Sequence, residues 1–244
     1  MLSVDVLLFA ALETVKISVP TIVDGLRGRV SPRVCDARLD RWSRRLVEQA
    51  RIRLEVTGRE HVVAGESYVV MSNHQSHYDI PIVFQALRIP LRMVAKKELF
   101  EIPVMGRAMR YSGFVEVDRG RHARAVRSLA SARERLQADG TSVWIAPEGT
   151  RSRTGALGSF KRGGFHLAID AGLRVLPVSI DGSRRVLPAK GLHVSKGELV
   201  RVAVHAPVAA SDFGRERVSD FIASVREAIA AGLPATPALT TESS

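Results

Sequence analysis

Short β-like runs alternate with helical patterns from residue 62 onward, and this alternation constrains the fold more than any other feature of the chain. Helical segments and glycines separate the runs, which are rich in Val, Ile and Leu. Strands that alternate with helices usually pair in parallel. The sequence therefore predicts an α/β fold, with a mostly parallel central sheet flanked by helices. The predicted strands are 67–71, 91–94, 114–117, 142–145 and 175–180, and the predicted helices are 80–87, 103–109, 123–138 and 165–171.

The C-terminal part of the chain predicts the end of this domain. Val200, Val202 and Val204 alternate with polar residues, which indicates a half-exposed strand near one edge of the sheet. Apolar residues of 218–229 then follow one face of a last helix. Residues 233–244 are mostly small and polar, so we expect a disordered tail there.

The charge balance of the chain points to anionic ligands. Its 244 residues can bury one large core, but 36 basic residues against 25 acidic ones give a net charge of +11. Such a surface attracts phosphates of nucleic acid, of anionic lipid or of a small substrate, although it can also serve solubility alone. Aromatic residues make up only 5% of the chain, which argues against nucleic acid as a partner.

The N-terminal residues 1–57 are predicted to be helical, with a membrane-interface role. Their longest uncharged runs, 6–12 and 17–23, are far shorter than the roughly 20 apolar residues of a membrane-spanning helix. No basic region precedes them, so a secretory signal is not expected. A helix lying in a membrane interface and a helix packed on the domain are both compatible with this pattern.

A cluster of arginines in residues 26–53 favours the membrane interface. It comprises nine arginines and three acidic residues, while Leu39, Trp42, Leu46 and Ala50 recur at helical spacing. An apolar stripe beside arginines is typical of a helix attracted to anionic head groups, and an ordinary amphipathic surface helix is the alternative. The sequence thus predicts a peripheral or monotopic protein at the cytoplasmic face of an anionic membrane.

The segment Asn73-His-Gln-Ser-His-Tyr-Asp79 directly follows a predicted strand. Histidine is a base near neutral pH, and a carboxylate can hold it in one tautomer. His74 and Asp79 can meet only if His74 lies in the turn and Asp79 in the first turn of the next helix, a start that Pro81 supports. Asp79 could then cap the helix, bind the histidine, or do both.

Three further groups of residues follow along the chain, and the last consists of two segments. Gly113-Phe-Val-Glu-Val-Asp-Arg119 ends in an acid and an arginine, and Trp144-Ile-Ala-Pro-Glu-Gly-Thr-Arg151 turns sharply after an apolar run. Phe160-Lys-Arg-Gly-Gly-Phe165 precedes Leu176-Pro-Val178, where Pro177 favours the first residue of a strand or a bulge. Residues 119–162 carry ten basic and three acidic residues, so a phosphate-bearing ligand is expected near this rim.

Together these segments resemble those of the glycerolipid acyltransferases. The chain carries four ordered motifs of that family: Asn73-His74 with Asp79, Gly113 with Asp118-Arg119, Pro147-Glu-Gly-Thr-Arg151, and Leu176-Pro-Val178. It departs from the family at Glu116 and Ala146, where phenylalanine is frequent. The resemblance covers roughly residues 60–210 and implies an acyltransferase domain over 58–232.

The resemblance implies transfer of a fatty acyl group from acyl-CoA or acyl carrier protein to a lysophosphatidate-like acceptor, 1-acyl-sn-glycerol-3-phosphate, giving phosphatidic acid. His74 would be the general base and Asp79 its orienting carboxylate. No cofactor or metal is implied besides the thioester substrate. The implied substrate-binding residues are Lys97, Arg119, Glu148, Gly149, Thr150 and Arg151.

Two other functions remain as alternatives. Another lysophospholipid or glycerol-3-phosphate could be the acceptor. A metal-dependent hydrolase could instead use His74, His77 and Asp79 as ligands, although no further cluster at ligand-like spacing completes such a site.

Overall fold

The computed structural model describes residues 4–117 and 140–234. The predicted helix at 123–138, Asp118, Arg119 and the predicted tail from 235 onward lie outside these ranges. The helices are α1 (Val4–Leu26), α2 (Pro32–Gln49), α3 (Asp79–Leu87), α4 (Lys97–Phe100), α5 (Met105–Tyr111), α6 (Gly163–Ala171), α7 (Ser183–Val186) and α8 (Val218–Ala231). The strands are β1 (Arg53–Thr57), β2 (Tyr68–Ser72), β3 (Leu91–Lys96), β4 (Val115–Val117), β5 (Ser142–Ile145), β6 (Arg174–Asp181) and β7 (Leu199–Val204).

The seven strands of the described residues form one sheet in the order β1-β7-β6-β2-β5-β3-β4. The five strands β6, β2, β5, β3 and β4 run parallel. By contrast, β7 runs antiparallel to β6, and β1 runs parallel to β7. The predicted α/β fold with a mostly parallel sheet is confirmed. The carboxyl ends of the five parallel strands meet at one edge, called the carboxyl edge below, where β1 and β7 begin.

Strand β2 lies in the middle of the sheet and is buried throughout. Tyr68 and Val70 pack on one face of the sheet against α2 and α3, whereas Val69 and Met71 pack on the other face against α6 and α8. Because helices cover both faces, the positions from Tyr68 to Met71 all need apolar side chains. This double burial explains why the sequence there is an unbroken apolar run.

Pro177 lies within β6, not at its first residue, and is paired in register with Met71 of β2. The predicted bulge is present on its other side, because the pairing changes from Val178 with Val204 to Val175 with Val208 and leaves one extra residue on the side of β7. The Pro177 carbonyl accepts a hydrogen bond from the His205 N–H at 3.0 Å, on the side of β7. Since both main-chain polar groups of a strand residue point the same way, Pro177 offers no N–H to the end of β7, where the bulge interrupts the ladder.

The edge formed by β1 and β7 differs in part from expectation. Val200, Val202 and Val204 are buried, and the residues between them are more exposed, as their alternation predicted. Residues 53–57, which the sequence analysis assigned to the N-terminal segment, form β1 at the outer edge of the sheet.

The two N-terminal helices pack against each other and on the sheet domain. Trp42 Nε1 donates to Thr14 Oγ1 at 3.1 Å, and Arg38 joins α2 to Asp24 of α1 at 2.5 Å. Near the start of α1, Asp5 pairs with Lys196 at 2.8 Å, just before β7. Among the described helices, none has both the length and the hydropathy needed to cross a bilayer.

Asn73 extends the contact between β2 and β6 beyond the end of β2. Its Nδ2 donates to the Ile180 carbonyl at 2.8 Å, and its Oδ1 accepts from the Ile180 N–H at 2.8 Å. The side chain is buried and takes the place of a further rung of the strand ladder. The residue before His74 is therefore fixed to the sheet.

Replacing Asn73 by alanine should destabilise the fold. Asn73→Ala leaves a buried N–H and a buried C=O of Ile180 unpaired, which should cost about 3 kcal/mol in the free energy of unfolding. Urea denaturation measures this loss. The exposed substitution Ser219→Ala is the control and should change the free energy by no more than about 0.5 kcal/mol. Equal stability of the two variants would contradict the proposed bridging role.

Candidate active site

The candidate site lies at the carboxyl edge, where β2 and β5 end next to each other. The loop 73–78 follows β2, and the turn 146–151 follows β5. A hydrogen bond of 2.7 Å from the Ser152 N–H to the His74 carbonyl joins these two segments. Parallel pairing thus brings together two of the sequence motifs that are distant along the chain.

His74 and Asp79 are in direct contact. Nδ1 of His74 lies 2.7 Å from Oδ2 of Asp79, and α3 begins at Asp79 as the spacing required. Asp79 is fully buried, whereas the His74 side chain retains 16% of its exposure. A carboxylate at Nδ1 holds the proton there, so the lone pair of Nε2 is left free to accept another proton.

Asp79 also organises the loop that carries His74. The same Oδ2 accepts the main-chain N–H groups of Gln75 at 2.7 Å and Ser76 at 2.9 Å. These donors precede the helix, so Asp79 binds the loop and the histidine and is not a helix cap, which corrects that alternative. Oδ1 has no hydrogen-bond partner among the described residues.

Trp144 supports the imidazole from the side. The rings of His74 and Trp144 meet edge to face, with centroids 5.5 Å apart and an interplanar angle of 83°. Trp144 Nε1 donates to Ser72 Oγ at 2.9 Å, and Ser72 Oγ donates to the Asn73 carbonyl at 2.9 Å. Ser72 is thus a structural residue that ties β5 to the end of β2.

Glu148 holds the His74 loop from the side of the 146–151 turn. Its Oε1 accepts the His74 N–H at 3.0 Å, and its Oε2 accepts the Gly158 N–H at 2.8 Å. Burial raises the pKa of Glu148, although these two N–H groups oppose the shift. A Cβ at position 158 would lie 3.0 Å from Oε2, so only glycine allows this approach without displacement.

The turn at Gly149 brings in a residue that sequence reasoning had not assigned to the site. Gly149 has a φ of 73°, and its N–H donates to the Ala146 carbonyl at 3.0 Å. The Lys161 side chain lies against this glycine, because a Cβ there would be 3.0 Å from Lys161 Cε. The Phe160-Lys-Arg-Gly-Gly segment was visible in the sequence, but nothing in it indicated contact with residue 149.

The remaining predicted binding residues are less tightly grouped. Arg151 is half-buried and Thr150 is exposed. Desolvation, followed by the positive charge of Arg151, lowers the pKa of His77. Lys97 begins α4 after β3 and lies 3.5 Å from Glu101. Arg119 lies outside the described residues.

The arrangement has the groups needed for proton transfer beside a basic rim. Within residues 4–117 and 140–234, no three His, Cys, Asp or Glu side chains converge as metal ligands. His74 and Asp79 form a base–carboxylate pair, and Arg151, Lys97 and Lys161 supply positive charge along the same edge of the sheet.

Comparison with known proteins gives the family. A sequence profile of the Acyltransferase family matches residues 53–181. The chain is 31% identical over 178 residues to the 1-acyl-sn-glycerol-3-phosphate acyltransferase alpha of Mus musculus. This alignment covers 73% of this chain and 62% of that protein. The chain is 32% identical over 164 residues to the 1-acyl-sn-glycerol-3-phosphate acyltransferase of Escherichia coli K12, covering 66% of each. The matches therefore span less than two thirds of these curated relatives.

A solved structure agrees with the sequence relatives. The crystal structure of the 1-acyl-sn-glycerophosphate acyltransferase PlsC from Thermotoga maritima superposes with a TM-score of 0.72 at 27% sequence identity. The alignment covers 92% of this chain and 95% of that one. Because the family profile spans more than half of the residues and includes both the His74 loop and the Glu148 turn, this chain belongs to the acyltransferase family.

Proposed function

We propose that this protein transfers a fatty acyl group from an acyl thioester to the free hydroxyl of 1-acyl-sn-glycerol-3-phosphate, forming phosphatidic acid. One observation carries the proposal: Nδ1 of His74 contacts buried Asp79 at 2.7 Å while Nε2 has no hydrogen-bond partner among the described residues, on the same rim as Arg151. The names of the relatives support the choice of acceptor. The donor is acyl-CoA or acyl carrier protein, and no further cofactor is proposed.

His74 performs the proton transfers. Nε2 takes the proton of the acceptor hydroxyl as its oxygen attacks the thioester carbonyl. The tetrahedral intermediate then collapses, the carbon–sulfur bond breaks, and the thiolate takes the proton from Nε2. An ester and a free thiol result, and no covalent acyl-enzyme is needed.

Asp79 stabilises the imidazolium that forms during attack. Its negative charge faces Nδ1, and the bonds from Gln75 and Ser76 hold the carboxylate in place before the substrate arrives. The pair therefore acts as one unit, with little reorganisation during the reaction.

The basic rim binds the acceptor phosphate. Arg151 is half-buried, and no ion pair of Arg151 with a carboxylate is found within the described ranges, so its guanidinium can bind phosphate with two parallel hydrogen bonds. Lys97 and Arg119 complete the proposed phosphate set. Glu148, Gly149 and Thr150 shape the acceptor pocket, with Glu148 acting through the His74 main chain.

A membrane surface supplies the lipid acceptor. Six apolar side chains of α1 recur at intervals of three or four residues and are 37–64% exposed, forming one stripe on the helix. Exposed Arg27, Arg29 and Arg33 follow at its C-terminal end. An exposed apolar stripe beside arginines matches an anionic bilayer interface, so we propose peripheral binding at the cytoplasmic face. The stripe consists of Leu8, Leu12, Val15, Val19, Val23 and Leu26.

His74→Ala should lower kcat by at least about 10²–10⁴-fold, because it removes the general base. Asp79→Asn keeps an oxygen that can accept from Gln75 and Ser76 but removes the charge, so it should also lower kcat while leaving the melting temperature close to that of the wild type. Since the two residues act as a unit, the double variant should be no worse than His74→Ala. Steady-state acyl transfer and circular dichroism measure these effects. Near-normal turnover of His74→Ala would refute the mechanism.

Arg151→Ala should raise the KM for the acceptor at least about tenfold, since one lost charge-assisted contact corresponds to about 1.5–3 kcal/mol. Arg153→Ala, an exposed arginine two residues away, is the matched control and should leave this KM unchanged. With a monoacylglycerol that lacks the phosphate, Arg151→Ala and the wild type should behave alike. A similar defect on both acceptors would remove Arg151 from phosphate binding.

The α1 stripe is tested by flotation with liposomes that contain anionic lipid. Leu12→Ser with Val19→Ser removes two apolar side chains from the stripe and should strongly reduce the floating fraction. Val63→Ser with Leu192→Ser is the matched control, because these side chains are 47% and 63% exposed but lie outside α1. If the two double variants float equally well, another surface binds the membrane.

A further inference from the structure

A groove of about 490 Å³ opens beside the catalytic loop and is separate from the acceptor rim described above. Its walls include Gln75, the segment 154–157, the start of α7 and one side of α8. Arg184, Arg185 and Arg226 line it, and we call it the arginine groove. Its volume lies within the range of about 300–1,000 Å³ that is common for small-molecule sites.

The groove is positively charged. Three arginines and Asp181 line it, which gives a formal charge of +2. Arg185 is partly neutralised by Glu198 at 3.4 Å. Arg184 and Arg226 are exposed, and their contacts within the described residues are single bonds to the carbonyls of Arg153 at 3.4 Å and Leu157 at 3.3 Å. Most donors of these two guanidinium groups are therefore available to an anion.

The groove shares a wall with the catalytic base. Gln75 follows His74 in the chain, its N–H binds Asp79, and its Nε2 donates to the Gly155 carbonyl at 3.4 Å. A Cβ at Gly155 would lie 3.6 Å from Arg184 Nε, so the guanidinium lies close to the main chain there. An anion bound in the groove would thus be next to the loop that carries His74.

The positive charge of the arginine groove is additional to the positive charge of the proposed acceptor site. Neither Arg151 nor Lys97 lines the groove. The proposed reaction uses two substrates. A coenzyme A thioester carries phosphates of its own, in addition to the phosphate of the acceptor. A second cationic site at the same edge fits that second substrate.

We propose that the arginine groove binds the phosphates of an acyl-CoA donor, with the thioester carbon directed toward His74. This inference rests on the proposed function and specifies its donor. Arg184 and Arg226 come from two different helices and both line the groove, so two guanidinium groups are available to a diphosphate. A recessed groove of small-molecule size favours coenzyme A over the surface of a carrier protein.

The test removes the two available arginines together. Arg184→Ala with Arg226→Ala should raise the KM for acyl-CoA at least about tenfold, a change that corresponds to ~1.4 kcal/mol, with little change in kcat. The KM for S-acyl pantetheine, which lacks phosphate, should equal that of the wild type. The control is Arg201→Ala with Arg215→Ala, which removes two exposed charges that pair with Glu55 and Asp170 elsewhere. This control should leave the KM for acyl-CoA unchanged.

An equilibrium measurement separates this inference from the proposed function. Calorimetric titration with free coenzyme A should show at least about tenfold weaker binding when the groove variant is combined with His74→Ala than for His74→Ala alone. If the wild type transfers acyl groups but the groove variant keeps its KM for acyl-CoA, the groove assignment is wrong and the proposed function stands. If the groove variant raises the KM only for the acylated carrier protein and not for acyl-CoA, the groove assignment is likewise wrong. If no donor supports transfer, the proposed function fails, and the titration still decides: equal affinities overturn the groove assignment and weaker binding supports it.

Discussion

A single carboxylate oxygen determines the geometry of the candidate site. Oδ2 of Asp79 accepts from the His74 ring and from two main-chain N–H groups of the same loop. Glu148 binds the His74 N–H from the other side. Two carboxylates that are almost entirely buried therefore fix one histidine, and their charges are compensated largely by N–H dipoles instead of cations. Such an arrangement holds the ring while Asp79 has no ion pair with a lysine or an arginine among the described residues.

Carboxylates and cations occupy different depths at the carboxyl edge. Asp79 and Glu148 are buried, whereas Arg151 is half-buried and Arg184 is exposed. A buried arginine would lose its hydration without a partner, which is costly. At the surface these side chains stay hydrated until a phosphate replaces the water. Proton transfer can thus occur in a drier environment than the recognition of charge.

Several features were predictable from sequence because they depend on local pattern. The run Tyr68–Met71 predicted a central strand since helices cover both of its faces, and the spacing of His74 and Asp79 predicted their contact. For Pro177 the sequence could not decide between a first strand residue and a bulge, because the bulge depends on where β7 ends. The contacts of Lys161 with Gly149 and of Arg226 with the groove join residues distant along the chain, and no local pattern reports such pairs. Edge strand β1 was missed because it has only five residues and closely follows α2, although Arg53 and Glu55 alternate there with apolar residues.

The reversed direction of β1 has a consequence for how the two parts of the protein cooperate. Because β1 begins at the carboxyl edge, the chain leaving α2 enters the sheet on the side where His74 lies. The Asp5–Lys196 pair brings the start of α1 to the same side. Had β1 run with the five parallel strands, α2 would have led into the opposite edge. The orientation of one edge strand thus places the junction of α2 with the sheet, and the start of α1, at the edge that carries His74.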